Sequence, residues 1–218
     1  MSIKIEMHLH TKESSPCAKV DVKDALVMFK EKGYDAVIIT DHFYHNIYES
    51  YSCWKDIVDK FLLGYKEALK VADSIGIKVF LGMEIRFPQN YNDYLVYGID
   101  EEFIYQHEYI YNTSLEEFFN LVKDKYVVVQ AHPFRWGNTL YDVNYLHGIE
   151  ILNTNPHNNC PNDLAYNEWI KTDLIATCGC DFHKVDGIPE SNYMTLPKLP
   201  EDNLELIKLL RTKKYKII

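Results

Sequence analysis

Residues 3–10 read Ile-Lys-Ile-Glu-Met-His-Leu-His, a largely apolar stretch that ends in two histidines two positions apart. An extended backbone sends residues two apart to the same face, so His8 and His10 can converge on one metal ion where a strand ends. Alone the pair decides little, because a single His-x-His is more often incidental than metal-binding. Its weight depends on what the rest of the chain places at the ends of its other strands.

Outward from this segment, short apolar runs rich in β-branched residues alternate with longer amphipathic stretches, the pattern of repeated βα units around a parallel sheet. Strands are expected at 3–7, 36–40, 78–85, 94–98, 127–131, 148–152 and 174–178, with further short ones at 193–196 and 215–218. Between them Val22, Ala25, Leu26 and Phe29 recur at helical spacing, as do Ile57, Phe61, Tyr65 and Leu69, then Leu115, Phe118, Phe119 and Val122. Each stripe reads as the core face of a helix. Ser114 with Glu117 three residues on reads as a capping box, and Pro200 with Glu201 and Asp202 suits the first turn of a final helix. The asparagine-rich segment 153–162 reads as a surface loop, and Phe43, Tyr44, Tyr48, Tyr51 and Trp54 read as core. With no internal repeat and no long linker, residues 1–218 are expected to form one α/β domain. A compact, incomplete barrel fits, because a full eight-unit barrel typically takes about 250 residues.

The composition, 47% apolar and 25% charged, is that of an ordinary globular protein. The 23 basic residues against 32 acidic ones leave a net charge of -9. Stable nucleic-acid binding through a generally basic surface is therefore not expected. No run of about 18 apolar residues suggests a membrane span, and a cytoplasmic location is expected. The five cysteines are odd in number and scattered, which favours a reducing compartment over a disulfide framework. Cys178 and Cys180 are too closely spaced for a zinc pair and read as buried thiols, while Cys17 lies near the candidate site.

Chemistry-bearing residues recur where the expected strands end. Asp41 and His42 follow the second, Glu84 ends the third, His132 follows the run 127–131, and Asp181 and His183 follow the run ending near Cys178. In a parallel barrel those ends share one rim, where active sites of such folds are assembled. Five of the nine histidines fall there, a clustering that points to a metal centre. Arg135, just past His132, and Arg86, two residues beyond Glu84, are the cationic candidates for catalysis on a charged substrate. Lys12 and Lys184 are further candidates, and His45 is a candidate proton donor. His107 and His147 read as surface residues, and His157 with Asn155 as part of the rim.

The ordered set His8-x-His10, Thr40-Asp41-His42, Gly82-Met83-Glu84, Ala131-His132-Pro133 and Asp181-x-His183 resembles the PHP (polymerase and histidinol phosphatase) family over nearly the whole chain. The resemblance implies a distorted, TIM-like (β/α)7 barrel holding two or three divalent ions (zinc, manganese or iron). It also implies hydrolysis of a small phosphorylated substrate, a metabolite or a nucleotide; histidinol phosphate enters by analogy only. By the same resemblance His8, His10, Glu84 and Asp181 would surround one ion, Glu84 would bridge to a second, and His42, His132 and His183 would complete the remaining sites.

Asp93, where many relatives have histidine, is implied as an eighth ligand and would favour harder ions. Asp41 is a catalytic candidate if it orients a ligand imidazole, and a plain strand-end hydrogen bond is its alternative. Ser15 and Pro16 stand where many relatives carry Asp or His, which leaves full occupancy of the second site open. Glu6 either supports the metals or simply faces the barrel interior. Two other readings stay open: an amidohydrolase-like C–N hydrolase, although no lysine stands at a strand end, and a non-catalytic, metal-binding regulatory module.

Overall fold

Alternation of β-branched runs with amphipathic stripes produces one curled sheet with helices packed outside it. In the computed structural model, which describes residues 2–218, β1 (Ile3–Leu9) leads to α1 (Val22–Glu31), whose expected stripe is buried. Next come β2 (Ala36–Ile39), the two-residue β3 (His42–Phe43), α2 (Trp54–Phe61) and α3 (Leu63–Ile75). Then β4 (Lys78–Arg86) and β5 (Asp93–Tyr97) precede α4 (Glu101–Gln106) and α5 (Leu115–Val122). Ser114 and Glu117 form the expected capping box of α5. The chain continues through β6 (Val127–Gln130), β7 (Gly148–Asn153), α6 (Asn162–Trp169) and β8 (Ile175–Gly179). It ends with β9 (Met194–Leu196), α7 (Asn203–Arg211) and β10 (Lys216–Ile217).

The sheet runs β10-β9-β1-β2-β4-β5-β6-β7-β8, with β3 beside β4. A parallel bridge between Leu9 and Phe182 joins the end of β1 to the segment after β8. There His10 N–H donates to Phe182 O and Phe182 N–H to His8 O, each at 3.1 Å. The sheet is thereby a nearly closed, distorted barrel.

Several details depart from the pattern read in the sequence. β5 is antiparallel to both β4 and β6, because the 87–92 connection is too short for the crossover that parallel pairing requires. The stripe from Ile57 to Leu69 is two helices, α2 and α3, that meet at Leu62; Leu69 is exposed. Gly64, Ala68 and Ala72 are the buried residues of α3 instead. A Cβ on Gly64 would lie 1.9 Å from Thr11 Oγ1 and 2.9 Å from Asp41 Oδ2, so glycine lets this helix press against the loop behind the rim.

The last helix begins at Asn203, capped by Asp202, so Pro200 precedes it. Asn153 and Asn155 are buried; as turn formers their side chains accept the N–H of Asn155 and His157. His147 is half-buried rather than free on the surface. Its Nδ1 accepts the Val128 N–H at 3.0 Å, and burial together with the nearby Arg211 charge lowers its pKa to about 4. Phe43 packs edge-on or tilted against Trp54, Phe61 and Tyr111 in the core, with Tyr48 buried among them. No helix among the described residues is long and apolar enough to cross a membrane.

Gly64→Ala should cost about 1–3 kcal/mol of stability through overpacking, read by urea unfolding; an unchanged midpoint would show that the Thr11–Asp41 contact has room to give. His147 in the unfolded chain takes up its proton near pH 6.5, whereas the folded chain resists until about 4, so stability is lost as pH falls through that window. His147→Gln should therefore show a shallower fall in Tm than the parent between pH 6.5 and 4.

Candidate metal centre

The rim collects side chains from five strand ends around two buried carboxylates. Glu84 of β4 lies with Oε1 3.3 Å from His8 Nε2 and 3.0 Å from His132 Nε2, and with Oε2 3.4 Å from His10 Nε2 and 2.6 Å from His42 Nδ1. Asp181 Oδ1 lies 3.2 Å from His10 Nε2, 3.5 Å from His8 Nε2 and 3.3 Å from His183 Nδ1. Three groups have donor atoms mutually within 4.8 Å: His8 with His10 and Asp181, His8 with Glu84 and His132, and His10 with His42 and His183. His8, His10, His42, Glu84, His132, Asp181 and His183 are thus in one cluster.

His8 Nε2, His10 Nε2, His42 Nδ1 and Glu84 Oε2 are buried without a hydrogen-bond partner, their close approaches being too poorly angled to count. Buried polar atoms seldom go unpaired, and lone pairs of imidazole and carboxylate converging at this spacing suit divalent metal ions. The residues present therefore fit the implied ions.

The electrostatics match. Burial opposes protonation of His8, but the carboxylates of Glu150, Asp181 and Glu84 outweigh it and hold its pKa well above the usual histidine value. Burial pushes His10 well below that value, helped by the neighbouring His42 and His183, so its nitrogen keeps a free lone pair. Burial alone would raise Glu84 and Asp181, yet the surrounding imidazoles keep both well below the ordinary carboxylate range.

Supporting residues hold the rings in place. Glu150, on β7, accepts from His8 Nδ1 at 2.9 Å and from His132 N–H at 2.7 Å. Its carboxylate makes Nδ1 of His8 the protonated nitrogen and turns Nε2 toward the cluster. Glu6 Oε1 accepts the N–H groups of His8 and Cys180, tying β1 to the end of β8, and burial raises its pKa to about 7. His132 and Asp181 both adopt positive φ, 25° and 48°, a strained conformation for non-glycine residues that concentrates at functional sites.

Asp41 spends its oxygens on Thr11 N–H, Thr11 Oγ1 and Ser15 Oγ at 2.6–2.7 Å, and Ser15 Oγ in turn accepts the His42 N–H. It fastens the loop after β1 by the strand-end hydrogen bonds that were its alternative reading. Ser15 Oγ also sits 3.4 Å from His10 Nδ1.

Arg135 is buried with Nη1 2.8 Å from Asp181 Oδ2 and Nη2 3.8 Å from Asp93 Oδ2, and its Nε has no partner. Arg86 grips Asp93 with two bonds of 2.7 and 2.9 Å and lies over the Tyr44 ring. Asp93 is 4.0 Å from His132 but belongs to none of the three ligand groups, because β4 and β5 pair Arg86 directly with it. Beside Arg86 and Tyr44 opens a groove of about 730 Å³. His45 is exposed on its wall, Lys12 pairs with Asp21, Lys184 is exposed, and His157 pairs with Asp186; none joins the cluster.

The sequence profile of the family described as PHP domain matches residues 6–188, which contain every cluster residue. The chain belongs to the PHP domain family. Its barrel is similar to a two-domain protein from Bacteroides vulgatus ATCC 8482 containing a predicted PHP-like metal-dependent phosphoesterase, with TM-score 0.74 and 15% identity. That match covers 100% of this chain and 65% of the other, so the PHP chain spans about two thirds of that protein's length. A Bifidobacterium adolescentis ATCC 15703 protein, whose assignment as a metal-dependent phosphoesterase is itself an inference, aligns with TM-score 0.59 and 17% identity over 96% of both chains. An amidohydrolase from Chromobacterium violaceum, with bound sulfate and no metal, aligns with TM-score 0.54 and 14% identity over 83% of this chain and 87% of that one. No curated protein matches the sequence.

Sequence reasoning missed Glu150 in this PHP domain. One signal was available: a lone carboxylate inside the apolar run 148–152, at the alternate position that faces the interior. Glu150→Gln should weaken divalent-metal binding by roughly 10–100-fold in chelator competition; unchanged affinity would show that His8 is held without it.

Proposed function

We propose that this PHP chain is a metal-dependent phosphoesterase that acts on a small phosphorylated metabolite or nucleotide at a centre of two or three divalent ions. The observation that carries the reading is the sharing of Glu84 and Asp181 among five imidazoles, three of which keep a buried, partnerless nitrogen, next to two arginines. A closed structural site needs only four ligands, and seven converge here.

His8, His10, Glu84 and Asp181 would hold one ion, with His42, His132 and His183 completing the rest; zinc, manganese and iron suit this mixed donor set. When bound, such ions supply an acidified water and positive charge against the phosphoryl oxygens. Arg135 offers its unpartnered Nε–H to one of those oxygens, a charge-assisted hydrogen bond that strengthens as negative charge builds. Arg86, locked by Asp93 and Tyr44, sets a second fixed positive charge on the groove wall. The groove wall includes Asn46, Gln89, Asn90, Asn92 and Asn138, amides suited to the hydroxyl and ring polar groups of a small substrate. As an eighth ligand, Asp93 would have to share its carboxylate with Arg86.

The test is a panel of phosphomonoesters, phosphodiesters and amides with added manganese, zinc or iron, alongside elemental analysis of the purified protein. Phosphate-ester turnover should depend on metal and vanish with chelator. Asp181→Asn should lower it by more than about 100-fold, beyond the usual cost of losing only a supporting partner. Metal-loaded protein that cleaves amides but no phosphate ester would replace this reading with the amidohydrolase one.

A further inference from the structure

The loop after β1 carries a thiol into the cluster. Cys17 Sγ lies 3.1 Å from His183 Nε2. His183 Nδ1 lies 2.7 Å from Asp181 O, a carbonyl that can only accept, so Nδ1 carries the proton and Nε2 presents its lone pair to the sulfur. The loop is tied in place by Lys19 N–H, which donates to His183 O at 2.8 Å, and by Ala18 N–H on Ser15 O.

A thiol beside one imidazole would carry no weight alone. Here the nitrogens of His10, His42 and His183 lie within 4.8 Å of one another, and two of them belong to rings buried to more than nine tenths that retain a partnerless nitrogen, His10 Nε2 and His42 Nδ1. Three grouped imidazoles and a sulfur against one of them offer a mixed nitrogen and sulfur donor set of the kind that holds zinc or another soft to borderline divalent ion. Bonds of about 2.3 Å to sulfur and about 2.0 Å to nitrogen at a tetrahedral angle would separate Sγ and Nε2 by roughly 3.6 Å. The exposed thiol would need to withdraw by only a few tenths of an ångström.

We propose that Cys17 is a thiolate ligand of the ion held by His42 and His183, with His10 beside it, and that it biases this position toward zinc, iron or cobalt over magnesium or manganese. Ligation exchanges the S–H bond for a sulfur–metal bond, and the thiol proton passes to solvent. The inference rests on the metal-centre reading above and adds a ligand outside its seven residues.

Cobalt(II) titration of the metal-free full chain tests it, since cobalt bound to sulfur shows a near-ultraviolet charge-transfer band that oxygen and nitrogen ligands do not give. The parent should show that band together with the visible cobalt bands. Cys17→Ser should lose it and retain one fewer cobalt after gel filtration. Cys17→His should recover the metal equivalent without the sulfur band. Alkylation of Cys17, followed by mass spectrometry, should be suppressed by zinc. Bound cobalt with visible bands but no sulfur band, or a sulfur band that persists in Cys17→Ser, overturns the thiolate ligand and leaves the metal centre standing. A parent chain that binds no cobalt overturns both.

Discussion

Two carboxylates withdrawn from water, Glu84 and Asp181, set the terms for the rest of the rim. Each is buried to 99%, and a buried unpaired carboxylate costs several kcal/mol. Positive or metal-bound neighbours therefore have to be supplied by the fold. Glu84 is met by His8, His10, His42 and His132, and Asp181 by His8, His10, His183 and Arg135. The nitrogens left without partners are where added cations gain most, so metal binding and stability of this rim are expected to be linked.

This arrangement depends on the seam between β1 and the segment after β8. The Leu9–Phe182 bridge places Asp181 and His183 on either side of Phe182, whose ring packs against Phe29 on the apolar side. Flanking that bridge, Asp181 and His183 lie against His8 and His10. Glu6 spans the same seam through the N–H groups of His8 and Cys180. Gly179 permits the close approach: a Cβ there would lie 2.5 Å from His8 Cβ. Closing the ring and assembling the centre are thus the same event.

Around the ligand cluster the rim divides its work. Arg86 places positive charge on the wall of a groove and Arg135 places it against Asp181, on a protein whose net charge is -9. Thr11, Ser15 and Asp41 knit the loop that carries Cys17, and Gly64 lets α3 press against that network from behind. The aromatic group around Phe43 and Trp54 anchors the chain just past His42 in the core, so this ligand follows directly from a packed segment.

The residues that gather at the rim were legible in the sequence. A two-residue period puts His8 and His10 on one face whatever surrounds them, and the recurrence of His, Glu and Asp after successive apolar runs marks a shared rim. What pairwise register decides was not legible. The direction of β5 follows from the short connection before it, and that register sets Arg86 against Asp93 and occupies a carboxylate otherwise read as a ligand. Glu150 was hidden in an apolar strand because its role exists only once β7 lies next to the end of β6 and within reach of β1. Local patterning therefore determined which side chains could serve a metal centre. Only the closing of the barrel, which brings together residues more than 170 positions apart, decided which of them meet.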